Sequence, residues 1–246
     1  MSHGLPRQEP GRSNRFLETL PPHDFSLFGP HLRTVALERG AILHDVGEEI
    51  ERVYFPQSGM VSLVAVMLDG RTVETATVGR GIIGASAGLG ARLAVSRAIV
   101  QLSGTATWIS AAQFHAVANR SQAIRDLIVR CNDLLLGQVQ QSLACNALHS
   151  LETRLCSWLL QTHDCTAGAA MPLTQEFLGQ ILGVRRTTVT IAAQLLQNAG
   201  LIRYRRGHIQ ILDRAALEDV SCECYAVVRQ NADKVFPIPP PAAPTR

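Results

Sequence analysis

The 246-residue chain has no Asp or Glu between Glu176 and Asp213, and that stretch of thirty-six residues carries five arginines: Arg185, Arg186, Arg203, Arg205 and Arg206. The chain's formal net charge is only +3, so a local charge of +5 is a confined basic footprint that points to a polyanion. Other absences narrow the field. Charged residues are only 17% against 46% hydrophobic, which argues against a disordered, solvating chain and for one large or two modest cores. No apolar run approaches the roughly 18 residues that a membrane span needs. The first residues, MSHGLPRQEPGRSN, lack the apolar centre of a signal peptide, so a cytoplasmic protein with no membrane partner is expected.

Cysteine is missing before Cys131, and the six present (Cys131, Cys145, Cys156, Cys165, Cys222, Cys224) form no C-x-x-C pair and have no His at finger spacing. Free, mostly buried thiols are expected, and no metal site. Cys222-Glu-Cys224 is the one close pair, a tight spacing for chelation that arises easily by chance. Enzyme signatures are missing too. A cupin-like metal centre needs an H-x-H pair, yet between residues 35 and 120 only His44 and His115 occur. There is no nucleophile elbow and no GxxxxGK phosphate cradle. No catalytic residue and no cofactor is assigned, and an enzyme is not expected.

What is present centres on residues 173–212. Thr174 can cap a helix whose apolar residues Phe177, Leu178, Ile181 and Leu182 fall at helical spacing, with Leu173 and Leu178 as a hydrophobic staple. Gly183 supplies a left-handed stop. A second helix, 186–199, turns Val189, Ala192, Ala193 and Leu196 inward and shows Arg186, Thr187, Thr190, Gln194 and Gln197 on its other side. Two helices joined by a glycine turn, the second with a polar, non-acidic face, form the helix-turn-helix pattern. Residues 202–204 and 209–212 read as two short strands with Arg205-Arg206-Gly207-His208 between them, a hairpin of the size of a wing.

Upstream, residues 1–14 read as a disordered N-terminus, followed by a short helix at 15–20 stopped by Pro21-Pro22. Glycines then recur at turn intervals between short apolar runs at 41–43, 53–55, 60–67 and 72–78, with Asp69-Gly70 as the strongest hairpin signal. This texture implies a β-sandwich or jelly roll over 15–120. Residues 121–147 form one long helical segment with Ile124, Leu127, Ile128, Cys131, Leu134, Leu135, Gln138, Ser142 and Cys145 as its stripe. A further amphipathic helix at 148–163 (Leu151, Leu155, Trp158, Leu159, Leu160) is expected to floor the helix-turn-helix, with a loop at 164–171 and a closing helix at 215–220. Residues 226–246, ending in PIPPPAAPTR, read as a flexible tail.

The phrase GQILGVRRTTVTIAAQLLQNAGLI with its basic hairpin resembles the winged helix-turn-helix of the Crp/Fnr family of bacterial transcription regulators. The upstream half is similar to the family's cyclic-nucleotide-binding-type β-roll. Its landmarks are Arg39-Gly40, Gly47-Glu48, Val53-Tyr54-Phe55, Ser58-Gly59, Asp69-Gly70 and Gly81-Ile82-Ile83-Gly84, in that order. The resemblance implies an α+β chain: an N-terminal β-roll, a long dimerisation helix (121–147) and a C-terminal winged helix-turn-helix (148–225). It implies a homodimer on double-stranded DNA at an inverted-repeat operator, and RNA polymerase as a further partner. The stripe of the long helix is then shared between β-roll and twin helix, with Cys131 and Cys145 as fillers at the seam.

The resemblance also assigns residues. Arg186 matches the family arginine that makes a forked contact to guanine, and Arg185 is a phosphate clamp or helix-start residue. Thr187, Thr188, Thr190 and Gln194 lie on the reading helix. Arg203, Arg205 and Arg206 are placed to meet phosphates. Thr187 stands where a cytosine-reading glutamate is common, and Ile191 replaces a second arginine, so Ile191 either touches a thymine methyl or packs inward. The effector pocket maps to Gly84, Ala85, Ser96 and Arg97. Family members that bind cyclic AMP follow Gly84 with a glutamate and carry Arg-Ser at the phosphate site. Here Ala85 and the reversed Ser96-Arg97 stand instead, and no Asp or Glu occurs between Glu74 and Asp126. Usual cyclic AMP binding is therefore not expected and the small-molecule effector is open. Two alternatives remain: a cyclic-nucleotide-responsive regulator, and a ligand- or protein-binding module whose winged helix does not bind DNA.

Overall fold

A computed structural model describes residues 14–166 and 170–237. Seven strands build the N-terminal half: β1 (Arg33–Leu37), β2 (Ile42–His44), β3 (Arg52–Pro56), β4 (Met60–Val66), β5 (Thr72–Val78), β6 (Arg97–Leu102) and β7 (Gly104–Ser110). They form two antiparallel sheets, β1-β7-β3 and β2-β6-β4-β5. Between the sheets Leu37, Tyr54, Val61, Leu63, Ala76, Ile83, Val100 and Ala106 pack into one hydrophobic core. The β4–β5 hairpin turns at Gly70, whose φ of +82° suits glycine, and Met67 N–H donates to Arg71 O at 2.8 Å.

A second core lies outside the three-stranded sheet. The helices α1 (Arg15–Thr19), α2 (Pro22–Ser26) and α3 (Ala111–Ala118) enclose Phe16, Phe28, Phe55 and Phe114, whose ring centroids stand 5.6–6.4 Å apart. The first turns of α4 (Gln122–Leu148) close this cluster with Ile124, Leu127 and Ile128. Gly88, in a 3₁₀ turn over Ala85–Leu89, sits so close that an added Cβ would meet Phe114 and Ile128 at 2.6 Å.

Four expectations need correction. Asn14 is not part of a disordered terminus: it is fully buried, caps α1, and donates from Nδ2 to Pro56 O and Gly81 O at 2.7 and 2.6 Å. The other residues of that expectation, 1–13, lie outside the described ones. The helix expected at 15–20 is present as α1, and the prolines that stop it also start α2, because proline suits a first helical turn. The flexible tail expected from 226 is helical to Val235, as α9 (Cys224–Val235), with Tyr225 and Phe236 buried and Arg15 Nη2 donating to Asp233 Oδ1 at 2.7 Å. Residues 238–246 lie outside the described ones. The stripe chosen on α4 faces this chain's own β-roll: Ile124, Leu127, Ile128 and Cys131 are buried there, and Leu134 and Leu135 pack beside them. A different line, Val129, Leu136 and Leu143 at seven-residue spacing, is left exposed. Cys145 likewise turns toward Cys222, with their sulfurs 3.6 Å apart.

Helix α5 (Leu151–Asp164) follows a break capped by Ser150 and buries Leu155, Cys156, Trp158, Leu159 and Leu160, the floor that was expected. On it stand α6 (Gln175–Leu182), α7 (Arg186–Asn198), the hairpin β8 (Ile202–Arg205) and β9 (His208–Ile211), and α8 (Arg214–Val220). Among the described residues no helix is long and apolar enough to cross a membrane.

Candidate nucleic-acid interface

The helix-turn-helix is fixed by local chemistry. Thr174 Oγ1 accepts from Phe177 N–H at 3.2 Å, and Leu173 and Leu178 are both fully buried at the staple positions. Gly183 ends α6 at φ +67°. Gly179 lets the turn close: an added Cβ there would come within 2.9 Å of Val184 O. Helix α7 then presses Val189, Ala192, Ala193 and Leu196 against the domain core, all buried.

The opposite face of α7 is open. Arg185 and Arg186 at its start, then Thr187, Thr188 and Gln194, are exposed. Thr190 is partly engaged, donating from Oγ1 to Gln175 Oε1 at 2.8 Å and so bracing α7 against α6. Ile191 and Leu195 point outward at 59% and 52% exposure, which settles the orientation of Ile191. Gln197, on the same helix, plays a structural part. Its Oε1 accepts from Tyr204 N–H at 2.7 Å and locks the wing to the helix.

The wing turns on two residues, Arg206 (φ +50°) and Gly207 (φ +75°), the paired left-handed geometry of a two-residue hairpin. Arg206 is the one non-glycine residue of positive φ among those described, a conformation that favours Asn or Gly, yet an arginine stands there. Arg203, Arg205 and Arg206 are all exposed. Among the described residues none of the five arginines has an ion pair. A cationic surface without carboxylates keeps its full field for an outside partner.

The domain does not stand apart from the β-roll. Trp158 Nε1 donates to Glu74 Oε1 at 2.8 Å, Thr77 Oγ1 donates to the same oxygen at 2.9 Å, and Ser62 Oγ donates to Glu74 Oε2. Burial between β5 and α5 pushes the Glu74 carboxyl above its ordinary value. Phe177 meets Trp158 edge-on at 5.9 Å, and Arg39 lies over its ring at 5.5 Å.

The residues mapped to an effector pocket do not converge on a ligand-ready anion site. Gly84 (φ +81°) opens the 3₁₀ turn, and Ala85 is buried in the phenylalanine core. Ser96 is half-buried beside β6. Arg97 forms a two-pronged bond to Asp45, Nε to Oδ1 at 2.9 Å and Nη2 to Oδ2 at 2.7 Å. That bond holds the Asp45 carboxyl below the ordinary range, so the guanidinium is already matched. Arg92, another basic residue of this region, pairs with Glu49.

The architecture is a β-roll joined by a long helix to a winged helix-turn-helix. Residues 153–220 match the Crp-like helix-turn-helix domain family. The whole fold is similar to FixK2 from Bradyrhizobium japonicum (TM-score 0.66, 16% identity, covering 78% of this chain and 98% of that one). It is also similar to TTHA1359, a transcriptional regulator of the CRP/FNR family from Thermus thermophilus (0.63, 22%, 77% and 98%). The c-di-GMP responsive global regulator CLP of Xanthomonas campestris gives 0.61, 16%, 78% and 100%. A comparison with curated protein sequences finds no match. Residues 153–220 thus form a Crp-like helix-turn-helix domain, and the whole chain shares the fold of Crp/Fnr-type transcription regulators.

Proposed function

We propose that the protein is a sequence-specific regulator that binds an inverted-repeat operator as a homodimer, reading each half-site with α7 and gripping phosphates with the wing. The observation that carries this reading is the exposed arginine set on α7 and the wing, with no ion pair among the described residues. Arg186, at the first turn of α7, is the guanine reader, and Arg185 beside it clamps a phosphate. Thr187, Thr188 and Gln194 extend the reading face, while Thr190 braces it. Ile191, exposed at 59%, suits a thymine methyl. Arg203, Arg205 and Arg206 supply affinity without sequence preference.

Dimerisation through α4 is supported by Val129, Leu136 and Leu143, one exposed apolar line along the helix. A two-fold axis there makes the operator palindromic. In this reading the β-roll does not take cyclic AMP in the usual way: Ala85 offers the ribose no carboxylate, and Arg97 is matched by Asp45. Such a regulator works where the genome and RNA polymerase are, in the cytoplasm.

Selecting bound fragments from random duplex DNA tests the core of the proposal. Enrichment of an inverted repeat whose half-sites lie about one helical turn apart is the expected result. Enrichment of single, unpaired half-sites would remove the dimer, and no enrichment over input would remove sequence reading. Calorimetry with cyclic AMP and cyclic GMP should give no binding heat, and a saturable one-per-protomer isotherm would restore the nucleotide sensor.

A further inference from the structure

Three of the cysteines are ordinary core thiols. Cys131, Cys156 and Cys165 are scattered, and burial pushes each up to about 12. The other three are placed differently. Cys145, Cys222 and Cys224 converge with His149 so that their Sγ and ring-nitrogen atoms all lie within 4.8 Å of one another. Cys145 Sγ is 3.6 Å from Cys222 Sγ, and Cys224 Sγ is 3.5 Å from His149 Nδ1.

These spacings match one particular chemistry. Around a tetrahedral ion with metal–sulfur bonds near 2.3 Å and metal–nitrogen bonds near 2.0–2.1 Å, neighbouring sulfurs stand about 3.8 Å apart and sulfur and nitrogen about 3.5 Å. A disulfide would need its sulfurs near 2.05 Å. A polynuclear iron–sulfur cluster, which spreads its thiolates over several irons, would need them further apart than a group held within 4.8 Å. Three thiolates and one imidazole are a complete closed ligand set for a structural divalent ion.

The local sequence explains how the chain delivers the four. Cys145 and His149 are four residues apart at the end of α4, so their side chains share one face. Cys222 and Cys224 flank the start of α9, where the chain turns back onto α4. The surroundings complete the site. His149 Nε2 lies 3.4 Å from Glu223 Oε2, so that a carboxylate stands behind the ring while Nδ1 faces the thiols. Gln141 Nε2 donates to Cys224 Sγ at 3.0 Å, and Ser157 Oγ lies 3.0 Å from Cys222 Sγ. Arg154 lines the same cleft as Cys145 and Cys224, a positive charge beside a centre that three thiolates and one divalent ion leave with one net negative charge.

We propose that Cys145, His149, Cys222 and Cys224 bind a single thiophilic divalent ion of the zinc class. The ion fastens the start of α9 to the end of α4, at the joint where the long helix passes into the DNA-binding domain. The thiol protons are released as the metal–sulfur bonds form, and no oxidant or reductant takes part. The proposal departs from the expectation of no metal site, which weighed the C-x-C pair without Cys145 and His149, Cys145 being 77 residues from Cys222. The site stands whether or not the DNA-binding reading is right, because its readouts are metal content and spectra.

The test uses the full chain, grown with zinc and purified without chelator, with metal content measured by mass spectrometry. One zinc per protomer is expected. Replacing it with Co²⁺ should give the visible bands of a tetrahedral ion and a thiolate-to-cobalt charge-transfer absorption with the intensity of three sulfurs. Cys145→Ser, Cys224→Ser and His149→Ala should each lose the metal, whereas Cys131→Ser should keep it. Glu223→Ala should weaken metal affinity by about 10–100-fold. Background metal in the unaltered chain with no cobalt–thiolate absorption would overturn the proposal. So would full retention by the three ligand variants, or a Cys145–Cys222 disulfide in protein kept from air. The cobalt spectrum of the unaltered chain decides the matter even if a ligand variant fails to fold.

Discussion

Two sets of arginines in this molecule, one in the β-roll and one on α7 and the wing, lead opposite lives. Four in the β-roll are matched by carboxylates of the chain, Arg97 with Asp45, Arg92 with Glu49, Arg71 with Asp69 and Arg80 with Glu18, while Arg33, Arg39 and Arg52 lie over the rings of Trp108 and Phe177. On α7 and the wing, Arg185, Arg186, Arg203, Arg205 and Arg206 stand exposed with no ion pair among the described residues. The same side chain serves internal neutrality in one region and an external field in the other. What separates them is the distribution of carboxylates along the chain, not the number of arginines. A charge already satisfied by a neighbour has little left for a ligand, whereas an unmatched set on one face acts at a distance.

The contrast can be broken by substitution. Removing Arg203, Arg205 and Arg206 together, each to Ala, should have the largest effect. The slope of log affinity against log salt should flatten by about 0.9 for each phosphate no longer neutralised, with all duplex sequences weakened alike. A change in base preference instead would make the wing a reader of sequence. Arg186→Ala should cost about 1–3 kcal/mol on the selected operator and relax one base pair of each half-site. Equal loss on random DNA would assign Arg186 to the backbone.

Glu74 sharpens the comparison from the other side, since it is the carboxylate that joins the two regions. Its folded-state value is raised by burial, so above the ordinary glutamate value of about 4.3 the unfolded chain gives up its proton while the folded chain still holds it. For this group stability is full at low pH and falls as pH rises through that window. Glu74→Gln should therefore gain on the unaltered chain as pH climbs from about 4 upward, read as the difference between the two urea midpoints. A difference that stays flat with pH would place the charge in water. The smallest effect belongs to Arg97→Ala. The pair with Asp45 lies at the surface, so its loss should barely move the urea midpoint, and DNA affinity should not change. A loss of DNA binding in that variant would mean the β-roll arginines reach the partner as well.

The winged helix was legible in the sequence because every signal for it is local. Thr174 caps within three residues, Gly183 stops the helix where φ must be positive, and the inward set Val189, Ala192, Ala193 and Leu196 repeats at helical spacing. Strands β4 and β5 were legible for the same reason, through Asp69-Gly70. What was missed depends on distant partners. Asn14 is held by carbonyls of Pro56, Arg80 and Gly81, which no neighbouring residue announces. Helix α9 is stabilised by packing on α4 and α5, while the prolines after it dominate the local composition. On α4 two apolar lines run side by side, and periodicity alone does not say which faces its own β-roll. The cluster of Cys145, His149, Cys222 and Cys224 joins two pairs far apart in the chain, each unremarkable in isolation.

The most direct test of the unmatched basic face is the affinity of the full chain for random genomic duplex, measured across salt concentrations. A straight, steep decline of log affinity with log salt is predicted, its slope set by the phosphates that the α7 and wing arginines cover. Affinity that holds constant as salt rises would show that the exposed guanidinium groups meet no phosphate backbone, contradicting the assignment of this face to DNA.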